Sequence, residues 1–96
     1  MKIDFNKNGA ELNIKLDGRL DTTTAPELES FIGANIGDVS TLIIDCESLV
    51  YVSSAGLRVL LSAHKKMRGS MKLKGVQELV MEVFEMTGFA DILVIE

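Results

Sequence analysis

Residues 45–58 read Asp45-Cys46-Glu47-Ser48-Leu49-Val50-Tyr51-Val52-Ser53-Ser54-Ala55-Gly56-Leu57-Arg58. They run from the end of a strand, through a short connection, into a helix. The strand is announced just upstream by Leu42-Ile43-Ile44, a continuous run rich in β-branched residues, as expected when both faces are buried. It is read as ending at Asp45. The helix begins near Ser53 or Ser54, since serine hydroxyls accept from the orphan N–H groups of a first turn. Leu57, Leu60, Leu61 and His64 then share one apolar-leaning stripe, with Arg58, Ser62 and Lys65 opposite. Lys65, Lys66 and Arg68 form a solvated last turn suited to the helix macrodipole. Gly69 follows as its C′ glycine.

The same grammar extends in both directions. Upstream, Met1–Asn6 alternates weakly, as an edge strand does. Asn8-Gly9 is a turn signal, and Leu12, Ile14 and Leu16 put one face of a second strand into the core. Residues 1–17 therefore form a β-hairpin, and Gly18–Thr23 a loop. Thr24 with Glu27 matches a capping box, and Pro26 is tolerated in a first turn. Leu28, Phe31, Ile32 and Ile36 follow at helical spacing, and Gly37 ends that helix. Downstream, Met71–Lys74 is a short strand. Val76, Leu79, Val80, Val83 and Phe84 mark a third helix, with Glu78, Glu82 and Glu85 toward water. Gly88 closes it, with Phe89 placed to fold back onto Phe84. Asp91–Ile95 is the last strand.

A hairpin followed by alternating strands and helices implies an α/β fold with parallel strands and right-handed crossovers. Residues 1–96 make a single domain. The spacing is too short for two full helix layers, so the helices are expected mostly on one face of the sheet. Some strand surface on the other face is then expected to stay open and polar.

Composition narrows the function. The chain has 96 residues and a formal net charge of −4, which repels nucleic-acid phosphates and acidic lipid. Neither nucleic acid nor membrane is an expected partner. The single Cys46 excludes an intrachain disulfide and reads as a small buried hydrophobe. Met1–Gly9 lacks the apolar stretch of a signal peptide, and no window reaches the ~18 apolar residues of a membrane span. A soluble cytoplasmic protein is expected. His64 is the one histidine. It lies on the apolar side of its helix with no second metal ligand at useful spacing, so neither a metal site nor a Ser-His-Asp triad is expected. No glycine-rich phosphate cradle is present. An enzyme is therefore not expected, nor a cofactor.

The informative chemistry sits at Ser53 and Ser54. They are either helix caps alone or a modification site. A serine there stands at the C-terminal edge of a parallel sheet, where α/β folds present ligand sites. A phosphate would meet first-turn N–H groups and the positive end of the dipole. It would change the surface by about −1.5 to −2 charges without unfolding the chain.

Val50-Tyr51-Val52-Ser53-Ser54-Ala55-Gly56-Leu57-Arg58-Val59-Leu60 resembles the signature of STAS domains, the bacterial anti-sigma factor antagonists. Gly18-Arg19-Leu20-Asp21 followed by Thr24-Ala25-Pro26 is similar to that family's other recurring loop, and Val83-Phe84-Glu85-Met86-Thr87-Gly88-Phe89 to its tail. The three segments fall in register over the whole chain. In the family an Asp precedes the phosphorylated serine, a second hydroxyl follows it, and Gly-Leu-Gly comes next. Here Ser53 takes the place of the Asp, Ala55 that of the second hydroxyl and Arg58 that of the second Gly. The phosphorylated serine maps onto Ser54, the clearer target once Ala55 has replaced the second hydroxyl, and Ser53 stays open as the alternative acceptor.

The resemblance implies partner switching. The unphosphorylated domain binds an anti-sigma factor that is also a serine kinase of the GHKL type, freeing the sigma factor. Phosphorylation of Ser54 ends binding, and a metal-dependent serine phosphatase resets it. ATP and Mg²⁺ belong to the kinase. Asp21, Thr22, Ser53, Ser54, Gly56 and Arg58 are the expected partner-facing surface. Gly56, costly in a first helical turn, signals close approach by another backbone or by the partner. Three other readings stand beside this one: a non-phosphorylated accessory subunit of an ABC-type lipid transport system, a small-ligand or nucleotide sensor, and, last, a weak enzyme.

Overall fold

A computed structural model describes all of residues 1–96. The chain runs β1 (Lys2–Asn8), β2 (Glu11–Leu20), α1 (Ala25–Asn35), β3 (Thr41–Val52), α2 (Ser54–Lys66), β4 (Met71–Lys74), α3 (Glu78–Thr87), a 3₁₀ turn (Phe89–Asp91) and β5 (Val94–Ile95). The five strands lie side by side in chain order. β1 and β2 are antiparallel and every other neighbouring pair is parallel. Parallel neighbours need a crossover, and each helix supplies one.

The buried side chains form a single cluster of 22. Leu12, Ile14 and Leu16 of β2, Leu42 and Ile44 of β3 and Met71 and Leu73 of β4 face it. So do Leu28 and Ile32 of α1, Leu57 and Leu60 of α2, and Val80 and Phe84 of α3. Complete burial of such a side chain contributes about 1.5–3 kcal/mol. The helices thus cover one face of the sheet. On the other, Asp4, Lys15, Asp45 and Lys74 form one cross-strand row of alternating sign, which water solvates. Ile43 is only half-buried on this open face. The expectation of burial on both faces is therefore corrected, because no helix covers that side.

Both strands flanking the serines are longer than expected. β2 continues through Gly18 and Arg19 to Leu20, and β3 passes Asp45 to end at Val52. The reason lies in two irregularities of their pairing. Between the pairs Lys15↔Asp45 and Asp17↔Ser48, and again between Gly18↔Leu49 and Arg19↔Tyr51, β3 spends one residue more than β2. Each extra residue is a bulge. Together they put Cys46, Leu49 and Val52 into the core at every third position. The loop read at Gly18–Thr23 shrinks to Asp21–Thr24, and Gly18, with φ +112°, takes a conformation open to glycine.

Four smaller expectations change. Thr24 stands at the α1 N-cap position without a side-chain capping bond, because its hydroxyl is engaged by Arg19 and Asp21. At the end of α2 the left-handed C′ residue is Arg68 (φ 52°), with Gly69 beyond it. The Gly69 N–H bonds to His64 O and the Arg68 N–H to Lys65 O, the two bonds of a Schellman motif. Leu79, placed by periodicity on the core side of α3, is 69% exposed, since Val80 and Phe84 already meet the core. The expected strand Asp91–Ile95 yields its first residue to the 3₁₀ turn, and only Val94–Ile95 pairs with β4.

Candidate functional site at the start of α2

The C-terminal ends of β2 and β3 are tied together directly beneath the helix start. The Ser53 N–H donates to the Leu20 carbonyl at 2.9 Å, and Leu20 pairs with Val52 across the sheet. Ser53 is extended (φ −99°, ψ 175°), and its Oγ accepts from the Gly56 N–H at 3.4 Å. Its carbonyl accepts from the Leu57 N–H at 2.9 Å. Ser53 is therefore the N-cap of α2. Ser54 is the first helical residue and is exposed, and the capping bond belongs to its neighbour. Arg58, four residues on and also exposed, lies on the same side of the helix.

Asp21 and the threonines after it form a compact turn beside this helix start. Asp21 Oδ1 accepts from the Thr23 N–H at 3.0 Å, the Thr23 hydroxyl at 2.8 Å and the Thr24 N–H at 3.1 Å. The Thr24 hydroxyl donates to the Arg19 carbonyl at 2.7 Å and accepts from the Asp21 N–H at 2.8 Å. The Thr23 hydroxyl, with the N–H groups of Thr24 and Thr23, holds the Asp21 carboxyl below its ordinary value of 3.8 against a smaller opposing effect of burial. Asp21 is thus the structural acid of the β2–α1 turn, capping orphan donors in the role assigned to Thr24. Thr22 is exposed at the tip of the turn.

Of the two approaches read for Gly56, by another backbone or by a partner, the structure shows the first. Gly56 is buried under the first turn, where a Cβ would fall 2.7 Å from Leu20 Cγ. Its close neighbour is this chain's own β2, so it offers no surface to a partner. Asp21, Thr22, Ser53, Ser54 and Arg58 remain around the helix start.

Two residues that the sequence reading did not single out also belong here. The Arg19 guanidinium sits 4.1 Å from the centre of the Tyr51 ring, a cation–π distance, and 3.8 Å from Asp21 Oδ2. They are cross-strand partners. Reading 18–23 as a loop and 46–52 as a connection concealed that register.

The remaining reactive groups lie elsewhere. Burial, with a smaller push from Asp45, raises the Cys46 thiol to about 12, so it is no nucleophile near neutrality. His64 lies ten residues along α2 from Ser54, about 15 Å at helical rise. The hollow on the open sheet face is lined by residues such as Asn13, Lys15, Ile43, Asp45 and Lys74, and neither serine borders it.

The description of the STAS domain family matches residues 2–96. The chain belongs to the STAS domain family. Among curated relatives, BtrV of Bordetella bronchiseptica, assigned as an anti-sigma factor antagonist, is 34% identical over 96 residues. That alignment covers 96% of this chain and 83% of BtrV. Among solved structures, the unphosphorylated anti-sigma factor antagonist SpoIIAA is 20% identical with a TM-score of 0.77. It covers 99% of this STAS domain and 87% of that chain. The phosphorylated form of Bacillus SpoIIAA gives 21% identity and a TM-score of 0.76 over 99% and 91%. At these identities the two structures speak for the fold, which this domain shares from β1 to β5. The family likeness read from residues 50–60, 18–26 and 83–89 is borne out.

Proposed function

We propose that this STAS domain is an anti-sigma factor antagonist whose unphosphorylated form binds an anti-sigma factor that is also a serine kinase of the GHKL type. Phosphorylation of Ser54 then ends the complex, and a serine phosphatase restores it. The observation that carries this reading is the division of labour at the helix start. Ser53 holds the capping bond, which leaves the exposed Ser54 hydroxyl unused by the fold. A phosphate on Ser54 would meet first-turn N–H groups and the helix dipole. The fold would tolerate it while the surface gained about −1.5 to −2 charges. Asp21, Thr22, Ser53 and Arg58 surround it as the contact surface. The kinase brings ATP and Mg²⁺, and the cytoplasm is where such a partner and its sigma factor would be met.

The relatives support this reading because BtrV is assigned as an anti-sigma factor antagonist. SpoIIAA, of the same fold, has been solved in both phosphorylation states. The test uses the cognate anti-sigma kinase with ATP and Mg²⁺. Mass spectrometry is expected to find one phosphate, on Ser54, and none on Ser54→Ala. In titrations, Ser54→Ala should bind like the wild type. Ser54→Asp and the phosphoprotein should bind at least tenfold more weakly, a loss that needs only about 1.4 kcal/mol. An uncompensated charge in an interface costs more than that. Equal affinity of all four forms would reduce Ser54 to an ordinary surface serine.

A further inference from the structure

All ten Lys and Arg residues lie at or before Lys74, together with nine of the 14 acidic residues. Residues 1–74 therefore carry +1. Residues 75–96 hold five acidic side chains and no cation, and carry −5. This acidic end coincides with exposed apolar surface. On α3, Leu79 is 69% and Met86 86% exposed. They lie seven residues apart and share a helix face with the half-buried Val83. Beyond the 3₁₀ turn, Ile92 and Val94 are 48% and 40% exposed.

Glu78 suits the first turn of α3, but the acids that follow it are poorly placed for the helix itself. Glu78, Glu82 and Glu85 recur at i, i+4 and i+7, where like charges repel. Glu85 is in the last turn, which contains no basic residue, although the dipole there favours cations. None of the three takes part in an ion pair. Local rules are broken without an intramolecular gain, a pattern found where a surface serves something outside the fold.

We propose that the outer face of α3 is a second docking surface, separate from Ser54, for a basic amphipathic helix of a partner protein. Leu79, Val83 and Met86 receive its apolar stripe, and Glu78, Glu82 and Glu85 pair with its Lys or Arg residues. Apolar anchors at helical spacing are the usual currency of helix docking. Charge complementarity sets the sign of the partner. An anionic membrane or nucleic acid has the wrong sign.

The probe is a synthetic Leu/Lys amphipathic peptide about 18 residues long, beyond the ~12–15 residues below which isolated helices are marginal. It is titrated into the ¹⁵N-labelled domain, with a Leu/Glu peptide as counterpart. Amide shift changes are expected to concentrate on residues 78–87 and 92–94, for the Leu/Lys peptide alone. Leu79→Ser with Met86→Ser should weaken binding tenfold or more. Both side chains are exposed, so the melting temperature should hold. Glu82→Gln with Glu85→Gln should weaken it as well, and Ser54→Asp should leave it unchanged, which keeps this test separate from that of the Ser54 switch. Shift changes centred on another surface would overturn the proposal. So would undiminished binding by the Leu79→Ser, Met86→Ser variant, since the attraction would then be charge alone. Concentration-dependent shifts of the same residues without peptide would assign the face to a second copy of this chain and overturn it too.

Discussion

A Cβ placed on Gly56 would stand 2.9 Å from the carbonyl oxygen of Leu20. That oxygen already accepts the Ser53 N–H, so it cannot retreat without loosening the joint between β2 and α2. Gly56→Ala should therefore destabilise the domain by about 1–2 kcal/mol, although alanine gains about 1 kcal/mol in helix propensity. The melting temperature should drop by roughly 4–8 °C per kcal/mol. Thermal denaturation of Gly56→Ala checks this, and a variant more stable than the wild type would refute the close approach.

Ser53 and Ser54 should separate in stability. Ser53→Ala removes the capping oxygen and should cost about 0.5–1 kcal/mol, toward the low end for a cap because the bond is long. Ser54→Ala touches only an exposed hydroxyl and should stay within about 0.5 kcal/mol of the wild type. Urea denaturation of the two variants makes the comparison. The reverse order would assign the cap to Ser54.

Acid should expose the role of Asp21. Its carboxyl is held below 3.8 in the folded chain by the Thr23 hydroxyl and the N–H groups of Thr24 and Thr23. A lowered folded pKa contributes stability that is present above the unfolded value and lost as pH falls through the folded one. Asp21→Ala should therefore melt lower than the wild type at neutral pH. The gap should close as pH falls below about 4. Melting curves from pH 7 to 2.5 would show it, and a gap constant with pH would remove the ionised carboxylate from the explanation.

Arg68 occupies a left-handed position that costs an L-residue about 1–2 kcal/mol. Glycine avoids that cost, though it returns part of the gain as chain entropy. Arg68→Gly should stabilise by about 0.5 kcal/mol, whereas the β-branched Arg68→Val should destabilise by about 1 kcal/mol. The expected order of melting temperatures is Gly above Arg above Val.

The hairpin, the three helices and the one-sided sheet were legible because their apolar residues keep periods of 2 or 3.6. The helix start at Ser53 and Ser54 was legible because serines that cap a helix follow an apolar run, whereas the choice of Ser54 came from the family resemblance. What was hidden follows from one cause, the two extra residues of β3. Cys46, Leu49 and Val52 face the core at a spacing of three, which belongs to neither template, so a paired strand resembled a connection. That also hid the Arg19–Tyr51 pair and the neighbour of Gly56, both set by cross-strand register. Leu79 misled for another reason. Periodicity identifies an apolar stripe but not its width: Val80 and Phe84 enter the core, Val76, Met81 and Val83 pack partly against it, and Leu79 lies outside.

The strands stand in the sheet in the order in which they occur in the chain. No strand has to be inserted between two that are already paired. As the chain leaves the ribosome, each new unit can dock on the edge left by the one before it. The β1–β2 hairpin offers a template to β3, and β3 to β4. The joint of Leu20, Ser53 and Gly56 is complete once α2 has been made, before any of α3 exists. Short-range assembly of this kind favours rapid folding. It also leaves α3 as the last helix to seat its side chains, Val80 and Phe84, in the core, so truncation within α3 should expose the edge of β4 while the serine-bearing turn keeps its local bonds.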